Sequence, residues 1–210
     1  MKGLFYKEAR CLWQYGKSYI LLVVIFFGLA FLNGGSEGAN PLWLLYPVFF
    51  VGSLPASLLS ADEKDGWLTY CDTLPIGRRQ IVAVKYVASA ALTAAIVVLA
   101  LLIGALTGQP TVAGGTAVPL SILIPLLLAV GLGVPALMYP VMFRFGATKG
   151  RAVYMAVVMV AAATCAVLMT SESVSGALDA LPILPVIAAA AAVFIGSWAL
   201  SVKWFEGREL

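Results

Sequence analysis

Long apolar runs, separated by short polar segments, constrain this chain more than any other feature of its sequence. A helix needs about 20 apolar residues to cross the core of a bilayer, and every backbone group there must be hydrogen-bonded within the protein, which favours helices. The chain is 62% hydrophobic and only 11% charged, whereas a soluble domain carries about 25% charge. The sequence therefore predicts an all-α integral membrane protein with six transmembrane helices. The predicted spans cover about residues 18–32, 41–59, 81–106, 117–139, 152–170 and 181–202.

The basic residues are distributed unevenly between the two sides that six spans would create. All 13 Lys and Arg residues lie in the N-terminal segment, the second loop, the fourth loop and the tail, or close to them. The other three loops carry only the acidic residues Glu37, Glu172 and Asp179. Because Lys and Arg concentrate in cytoplasmic loops, the pattern predicts that both termini are cytosolic.

Residues 1–17 have the pattern of an amphipathic helix. Apolar or small residues recur at spacings of three and four, at Phe5, Ala9, Leu12, Trp13 and Gly16. Basic side chains, including those of Lys7 and Arg10, occupy another face. A basic helix that carries Trp suits the membrane interface, and the alternative is a short helix packed on the rest of the protein.

The segment 60–77 is the only long interruption by charge, and it falls between the second and third predicted spans. Seven charged residues lie between Asp62 and Arg79. Ser60 and Glu63 have capping-box spacing, which predicts the start of a helix, and Pro75 predicts its end. The helix would present an apolar and aromatic face made of Trp67, Tyr70, Cys71 and Leu74. Such a face suits docking of a partner. The alternative is that Trp67 and Tyr70 only lie at the membrane interface, where Trp and Tyr are enriched.

Several kinds of chemistry are missing from the sequence. Lys85 is the charged residue nearest to the middle of a span, about one turn inside, and we expect its side chain to reach the interface. Ion-coupled transporters generally need charged groups within the membrane, so their absence weighs against that class. The chain has no His, and its three Cys residues are far apart, so no metal site is expected. It also lacks a phosphate-binding GxxxxGK[ST] loop, so we expect no enzymatic activity and no use of ATP by this chain alone.

The segment E-K-D-G-W-L-T-Y-C-D-T-L-P-I-G-R-R-Q-I-V-A-V-K-Y, residues 63–86, resembles the signature loop of small ABC type-2 transporter permeases, including exporters of peptides and phenol-soluble modulins. The start of the chain, MKGLFYKEARCLW, is similar to the N-terminal interfacial "elbow" helix of that family. Six spans also match the family's layout. The resemblance covers nearly the whole chain in layout, and its most specific part is the segment of about 25 residues.

The resemblance implies a single permease domain, 1–210, in a bacterial cell membrane, with an elbow helix at 1–17 and a cytosolic coupling loop at 60–77. It implies an ABC exporter of hydrophobic or amphipathic cargo, in which two permease copies, or this chain and a sister permease, bind separate ATPase subunits. ATP and Mg²⁺ would then be held by the ATPase and not by this chain. The implied contact residues are Glu63, Trp67, Tyr70, Leu74 and Arg78.

Two other functions stay open on the sequence. A membrane anchor or sensor that transports nothing could use the same loop to recruit a different cytosolic protein. A secondary transporter would need polar pairs inside the membrane, which the sequence does not reveal. Membrane lipid is an expected partner in every case, and the small net charge of +3 does not indicate nucleic acid.

Overall fold

The structure is a computed structural model that describes residues 2–33, 41–71, 73, 77–108, 119–146, 149–150, 152–153, 155–156 and 183–207. The described residues form an all-helical protein. Its helices are α1 (Lys2–Asn33), α2 (Pro41–Lys64), α3 (Trp67–Cys71), α4 (Arg78–Thr107), α5 (Leu120–Phe145) and α6 (Ile183–Glu206).

Five of the described helices are long and apolar enough to cross a membrane: α1, α2, α4, α5 and α6. They correspond to the first four and the last of the six predicted spans. Most of the remaining span, predicted at 152–170, lies outside the described residues and stays a prediction. Residues 1–17 and 18–32 were predicted as separate helices, but α1 is continuous from Lys2 to Asn33, so the structure does not show a separate elbow helix.

Five helix termini meet at one end of the bundle, which we call the polar end. It contains the start of α1, the end of α2, the start of α4 and the ends of α5 and α6. Salt bridges join Lys7 of α1 and Lys85 of α4 to Asp62 of α2. The guanidinium of Arg144, near the end of α5, lies 4.8 Å from the ring centre of Trp204 in α6.

Two apolar cores stack along the bundle. The core at the polar end includes Leu59, Ile81, Tyr139, Phe143 and Phe205, each at most 2% exposed. The second core defines the opposite end, which we call the apolar end. Its most buried members are Ala30, Leu44, Val48, Ala100, Leu123 and Leu127.

Prolines inside α5 leave backbone carbonyls without their usual helical partners, because proline has no N–H to donate to the residue four positions earlier. Pro135 and Pro140 thus free the carbonyls of Gly131 and Ala136. The Thr93 hydroxyl of α4 donates to the Gly131 carbonyl at 3.0 Å, and the Ser197 hydroxyl of α6 donates to the Ala136 carbonyl. Neighbouring helices therefore satisfy the interrupted backbone, as burial in a membrane requires.

Gly131 also lets α4 and α5 approach closely between the two cores. A Cβ atom at this position would lie 2.5 Å from Cγ2 of Thr93 and 3.1 Å from Cγ1 of Val48. Small residues commonly permit this kind of contact between membrane helices. The close crossing of α4 and α5 therefore requires a residue without a side chain at position 131.

Candidate functional site

The charged segment between α2 and α4 folds differently from its predicted pattern. Helix α2 continues through Ser60 to Lys64, so the predicted capping box at Ser60 and Glu63 is wrong. The break falls instead at Gly66, whose φ of +67° is a conformation that glycine adopts readily. Helix α2 continues past Ser60 because Asp62 is buried and paired with Lys7 and Lys85. These contacts with other helices outweigh a local start signal at Ser60.

Helix α3 follows this break and carries two of the predicted contact residues. The ring centres of Trp67 and Tyr70 lie 5.7 Å apart. Tyr70 is 55% exposed, whereas Cys71 is fully buried in the core of the polar end. Trp67 is half-buried and packs against that core. Helix α3 is thus fixed on the bundle through Trp67 and Cys71 and offers Tyr70 outwards.

The side chain of Lys7 connects α3 to the interior of the bundle. Its Nζ atom lies 4.7 Å from the ring centre of Trp67, within the range of a cation–π interaction. The same Nζ atom donates a hydrogen bond to Asp62 and lies 3.6 Å from Oε1 of Glu8. Lys7 is therefore shared between α3 and two buried carboxylates.

Lys85 completes a cluster of four charges with Lys7, Glu8 and Asp62. Its Nζ atom lies 2.9 Å from Oε1 of Glu8 and donates a second hydrogen bond to Asp62. The side chain of Lys85 is only 2% exposed. Lys85 therefore ends inside the protein and not at an exposed surface: α4 begins at Arg78, so Lys85 lies about 10 Å along the helix, where two carboxylates offset the cost of burying its charge. That its side chain reaches the level of the membrane interface stays a prediction.

The cluster is electrically balanced and joins three helices. It holds two positive and two negative side chains, from α1, α2 and α4. Desolvating an unpaired charge is expensive, so the three buried members, Glu8, Asp62 and Lys85, depend on one another to stay buried. Within the described residues, every buried side-chain nitrogen and oxygen has a hydrogen-bond partner. The four-charge cluster therefore holds the three helix ends in one specific arrangement.

Two of the other predicted contact residues belong to different helices from the Trp67–Tyr70 pair. Glu63 belongs to the last turn of α2 and is half-buried. Arg78 is the first residue of α4, and its Nη1 donates to the carbonyls of Phe205 and Glu206 at 3.1 and 3.3 Å. Arg78 thereby satisfies carbonyls at the C-terminus of α6, where helical partners are lacking. Leu74 lies outside the described residues.

Sequence patterns missed the four-charge cluster. Its residues are distant in sequence, with 77 positions between Glu8 and Lys85, and nothing local indicates that they meet. A usable signal was nonetheless present, because a lysine two turns into an apolar helix needs a carboxylate partner. Glu8 and Asp62 are candidates, since both lie near helix ends on the predicted cytosolic side. No group of three or more potential metal ligands occurs among the residues that the structure describes.

Comparison with known proteins supplies the family. No curated protein and no solved structure matches this chain. A family described as "ABC-2 family transporter protein" matches residues 3–206. This confirms the resemblance seen in the segment 63–86. With a match over nearly its whole length and five candidate membrane spans in the described residues, the chain belongs to the ABC-2 transporter family as a multi-pass membrane protein.

Proposed function

We propose that this chain is the permease subunit of an ATP-driven ABC exporter of hydrophobic or amphipathic cargo, and that α3 is the element to which a separate ATPase subunit docks. Membrane components of the ABC-2 family are typically non-catalytic, and the family implies partnership with an ABC ATPase. ATP and Mg²⁺ then belong to the ATPase. A second permease copy, or a sister permease, completes the transporter.

The position of Tyr70 carries this proposal. Its exposed ring stands on a short helix whose other aromatic residue, Trp67, contacts Lys7 of the four-charge cluster. A partner that binds Tyr70 would therefore pull on a helix that is already attached to α1, α2 and α4. Aromatic side chains are frequent anchors at protein interfaces. A protein bound at Tyr70 could therefore transmit its own movement to the spans.

The distribution of charge supports a cytosolic location for α3, where an ATPase could reach it. The described basic residues at the polar end include Lys7, Lys64, Arg78, Arg144 and Lys203. Positively charged residues favour the cytoplasmic side. A cysteine introduced by Ser36→Cys or Ser173→Cys should then react with an impermeant reagent added outside intact cells. Labelling from the cytosolic side alone would contradict the orientation.

An apolar cavity between α1, α2 and α4 supports the choice of cargo. Its volume is about 530 Å³, within the range of small-molecule sites. The lining side chains are nearly all apolar, among them Trp13, Ile20, Val51, Leu54, Leu92 and Ile96. Such walls suit hydrophobic or amphipathic molecules better than small ions, which need polar ligands to replace their water.

Co-purification tests the proposal. The chain would be produced with a candidate ABC ATPase from the same organism, and both the amount of ATPase retained and its ATP hydrolysis would be measured. We expect a complex whose formation is reduced by Tyr70→Ala, since hot-spot truncations commonly cost about 2 kcal/mol or more, roughly thirtyfold in affinity. Tyr6→Ala is the matched control, because Tyr6 is 70% exposed on α1.

The open alternatives give different results in the same experiment. If Tyr70 only contacts lipid headgroups, Tyr70→Ala and Tyr6→Ala will both leave the complex intact. A membrane anchor or sensor would retain a partner without changing its ATP hydrolysis. A secondary transporter would retain no ATPase at all.

A further inference from the structure

Lys7 differs from the other three members of the four-charge cluster in its surroundings. Its side chain is 22% exposed, whereas those of Glu8, Asp62 and Lys85 are 2 to 7% exposed. It also contacts α3, through the ring of Trp67. A movement of α3 therefore acts directly on the side chain of Lys7.

Lys85 holds both buried carboxylates independently of Lys7. It pairs with Glu8 and with Asp62, so each carboxylate keeps a cation when Lys7 moves. An interaction that can shift without leaving a buried charge unpaired is well suited to a structural transition. The cluster thus has a partly exposed cation at its edge and a buried cation at its centre.

Hydrogen bonds continue from Lys85 to the proline-interrupted part of α5. The hydroxyl of Tyr139 in α5 donates to the Lys85 carbonyl at 3.2 Å. The hydroxyl of the next residue, Tyr86, lies 2.7 Å from the hydroxyls of both Ser197 and Ser201 in α6. Ser197 donates its only proton to the Ala136 carbonyl, so Tyr86 must donate to Ser197 and accept from Ser201.

This chain of hydrogen bonds ends at a carbonyl of α5 that has no backbone N–H partner within the helix. The Ala136 carbonyl is the one freed by Pro140, and helices bend at such positions. A displacement of α4 near Lys85 and Tyr86 would therefore reach the part of α5 that can change its curvature. The rings of Tyr86 and Tyr139, whose centres are 4.8 Å apart, add a packed contact between the same two helices.

We propose that Lys7 is a positioning residue that passes the movement of α3 to the four-charge cluster and, through Lys85, to the proline-interrupted part of α5. The proposal rests on the proposed function, in which an ATPase moves α3. Lys7 neither binds the ATPase nor touches cargo. Its Nζ atom contacts both Trp67 and Asp62, so that α3 and the spans move together.

The test compares variants of Lys7 in the complex of full-length chain and ABC ATPase. Lys7→Gln removes the cation, Lys7→Arg keeps it, and Lys17→Gln removes an exposed cation elsewhere on α1. The readouts are the ATPase retained on purification, the melting temperature, and the change in ATP hydrolysis that the permease causes. We expect Lys7→Gln to retain the ATPase but to reduce that change about two- to fivefold, the effect of losing one cation–π contact. Lys7→Arg and Lys17→Gln should behave as the unaltered protein.

A double variant separates coupling from charge balance. Lys7→Gln leaves the cluster with one excess negative charge, whereas Lys7→Gln with Asp62→Asn restores neutrality without restoring the contact to Trp67. We expect the double variant to show the same two- to fivefold reduction, even if the single variant folds poorly. Recovery of coupling would overturn the proposal, because charge balance alone would then explain the effect.

Two other results would also overturn it. Lys7→Gln could lose the ATPase at an unchanged melting temperature, which would place Lys7 in the docking surface. Lys7→Gln could also leave the change in ATP hydrolysis as it was. If the unaltered chain retains no ATPase, the proposed function itself fails, and that result is distinct from both.

Discussion

The two ends of the bundle hold their helices together by different means. At the polar end, four buried charges, the Tyr86 hydroxyl network and Arg78 at the end of α6 fix the helices by directional bonds. At the apolar end, the contacts between helices given by the structure are apolar and aromatic. Phe26 of α1, for example, packs against Trp43, Tyr46 and Phe50 of α2.

The difference follows from the surroundings of membrane helices. Lipid is as apolar as Leu, so apolar side chains gain only close packing when they leave lipid for another helix. Removing one partner of a buried ion pair destabilises a protein much more, because it leaves an uncompensated buried charge. The polar end should therefore be specified by a few irreplaceable residues, whereas the energy of the apolar end should be spread over many small contacts.

Removing Lys85 should have the largest effect on stability. Lys85→Met leaves Glu8 and Asp62 with only the partly exposed Lys7, and breaking a buried ion pair in this way costs about 3 to 5 kcal/mol. The measurement is the free energy of unfolding in detergent micelles. Lys203→Met, which changes an exposed lysine near the end of α6, should change it by less than about 0.5 kcal/mol.

Restoring the charge balance should recover part of that loss. In Lys85→Met with Asp62→Asn, the remaining charges on Lys7 and Glu8 cancel. We expect the double variant to be more stable than Lys85→Met alone. If both variants are as stable as the unaltered protein, the four-charge cluster does not hold the polar end together.

The close crossing of α4 and α5 between the two ends should give an intermediate effect. Gly131→Ala places Cβ 2.5 Å from Cγ2 of Thr93, and such overpacking costs about 2 kcal/mol. Thr93→Ser removes that methyl group while keeping the hydroxyl that bonds to the Gly131 carbonyl, so it should rescue Gly131→Ala. Unfolding of the three variants measures this directly.

Gly133→Ala is the matched control for that crossing. A Cβ at Gly133 meets no atom within 4 Å, and Ala favours helix over Gly by about 1 kcal/mol. Gly133→Ala should thus be neutral or stabilising. An equal loss of stability in Gly131→Ala and Gly133→Ala would contradict this, because the close approach exists only at Gly131.

A truncation in the core of the apolar end should have the smallest effect of the three. Leu127 is fully buried there. In the unfolded protein this side chain would lie in lipid, which is as apolar as the core, so its truncation loses no transfer free energy. Only the residual cavity destabilises Leu127→Ala, by about 1 to 2 kcal/mol. Leu126→Ala, at a neighbouring position that is 42% exposed, should cost less. A loss as large as that of Lys85→Met would remove the distinction between the two ends.

Five of the six predicted spans correspond to long apolar helices among the described residues, because hydropathy determines which segments can cross a bilayer. The sequence also placed an aromatic helix between α2 and α4, since Trp67 and Tyr70 have helical spacing. It failed where a local signal competed with packing. Ser60 looked like a helix start, yet α2 runs on to Lys64, and the Asp65–Gly66 pair was the better indicator of a break.

The four-charge cluster was missed for a different reason. Lys85 could be recognised as unusual by its depth in α4, but its partners lie on two other helices that only tertiary packing brings together. The same applies to Thr93 and Ser197. Pro135 and Pro140 predict that carbonyls are freed in α5, but not which hydroxyls from other helices will satisfy them.

The most direct test of the account is site-specific cross-linking to the ABC ATPase. Thr69→Cys on α3, where Thr69 is exposed beside Tyr70, and Leu32→Cys at the apolar end, where Leu32 is 82% exposed, would each be made in a chain whose Cys11, Cys71 and Cys165 have been replaced. A short thiol-reactive cross-linker would then be added to the complex in membranes. The account predicts a cross-link to the ATPase from Thr69→Cys and none from Leu32→Cys. A cross-link from Leu32→Cys, or none from Thr69→Cys in an assembled complex, would contradict it.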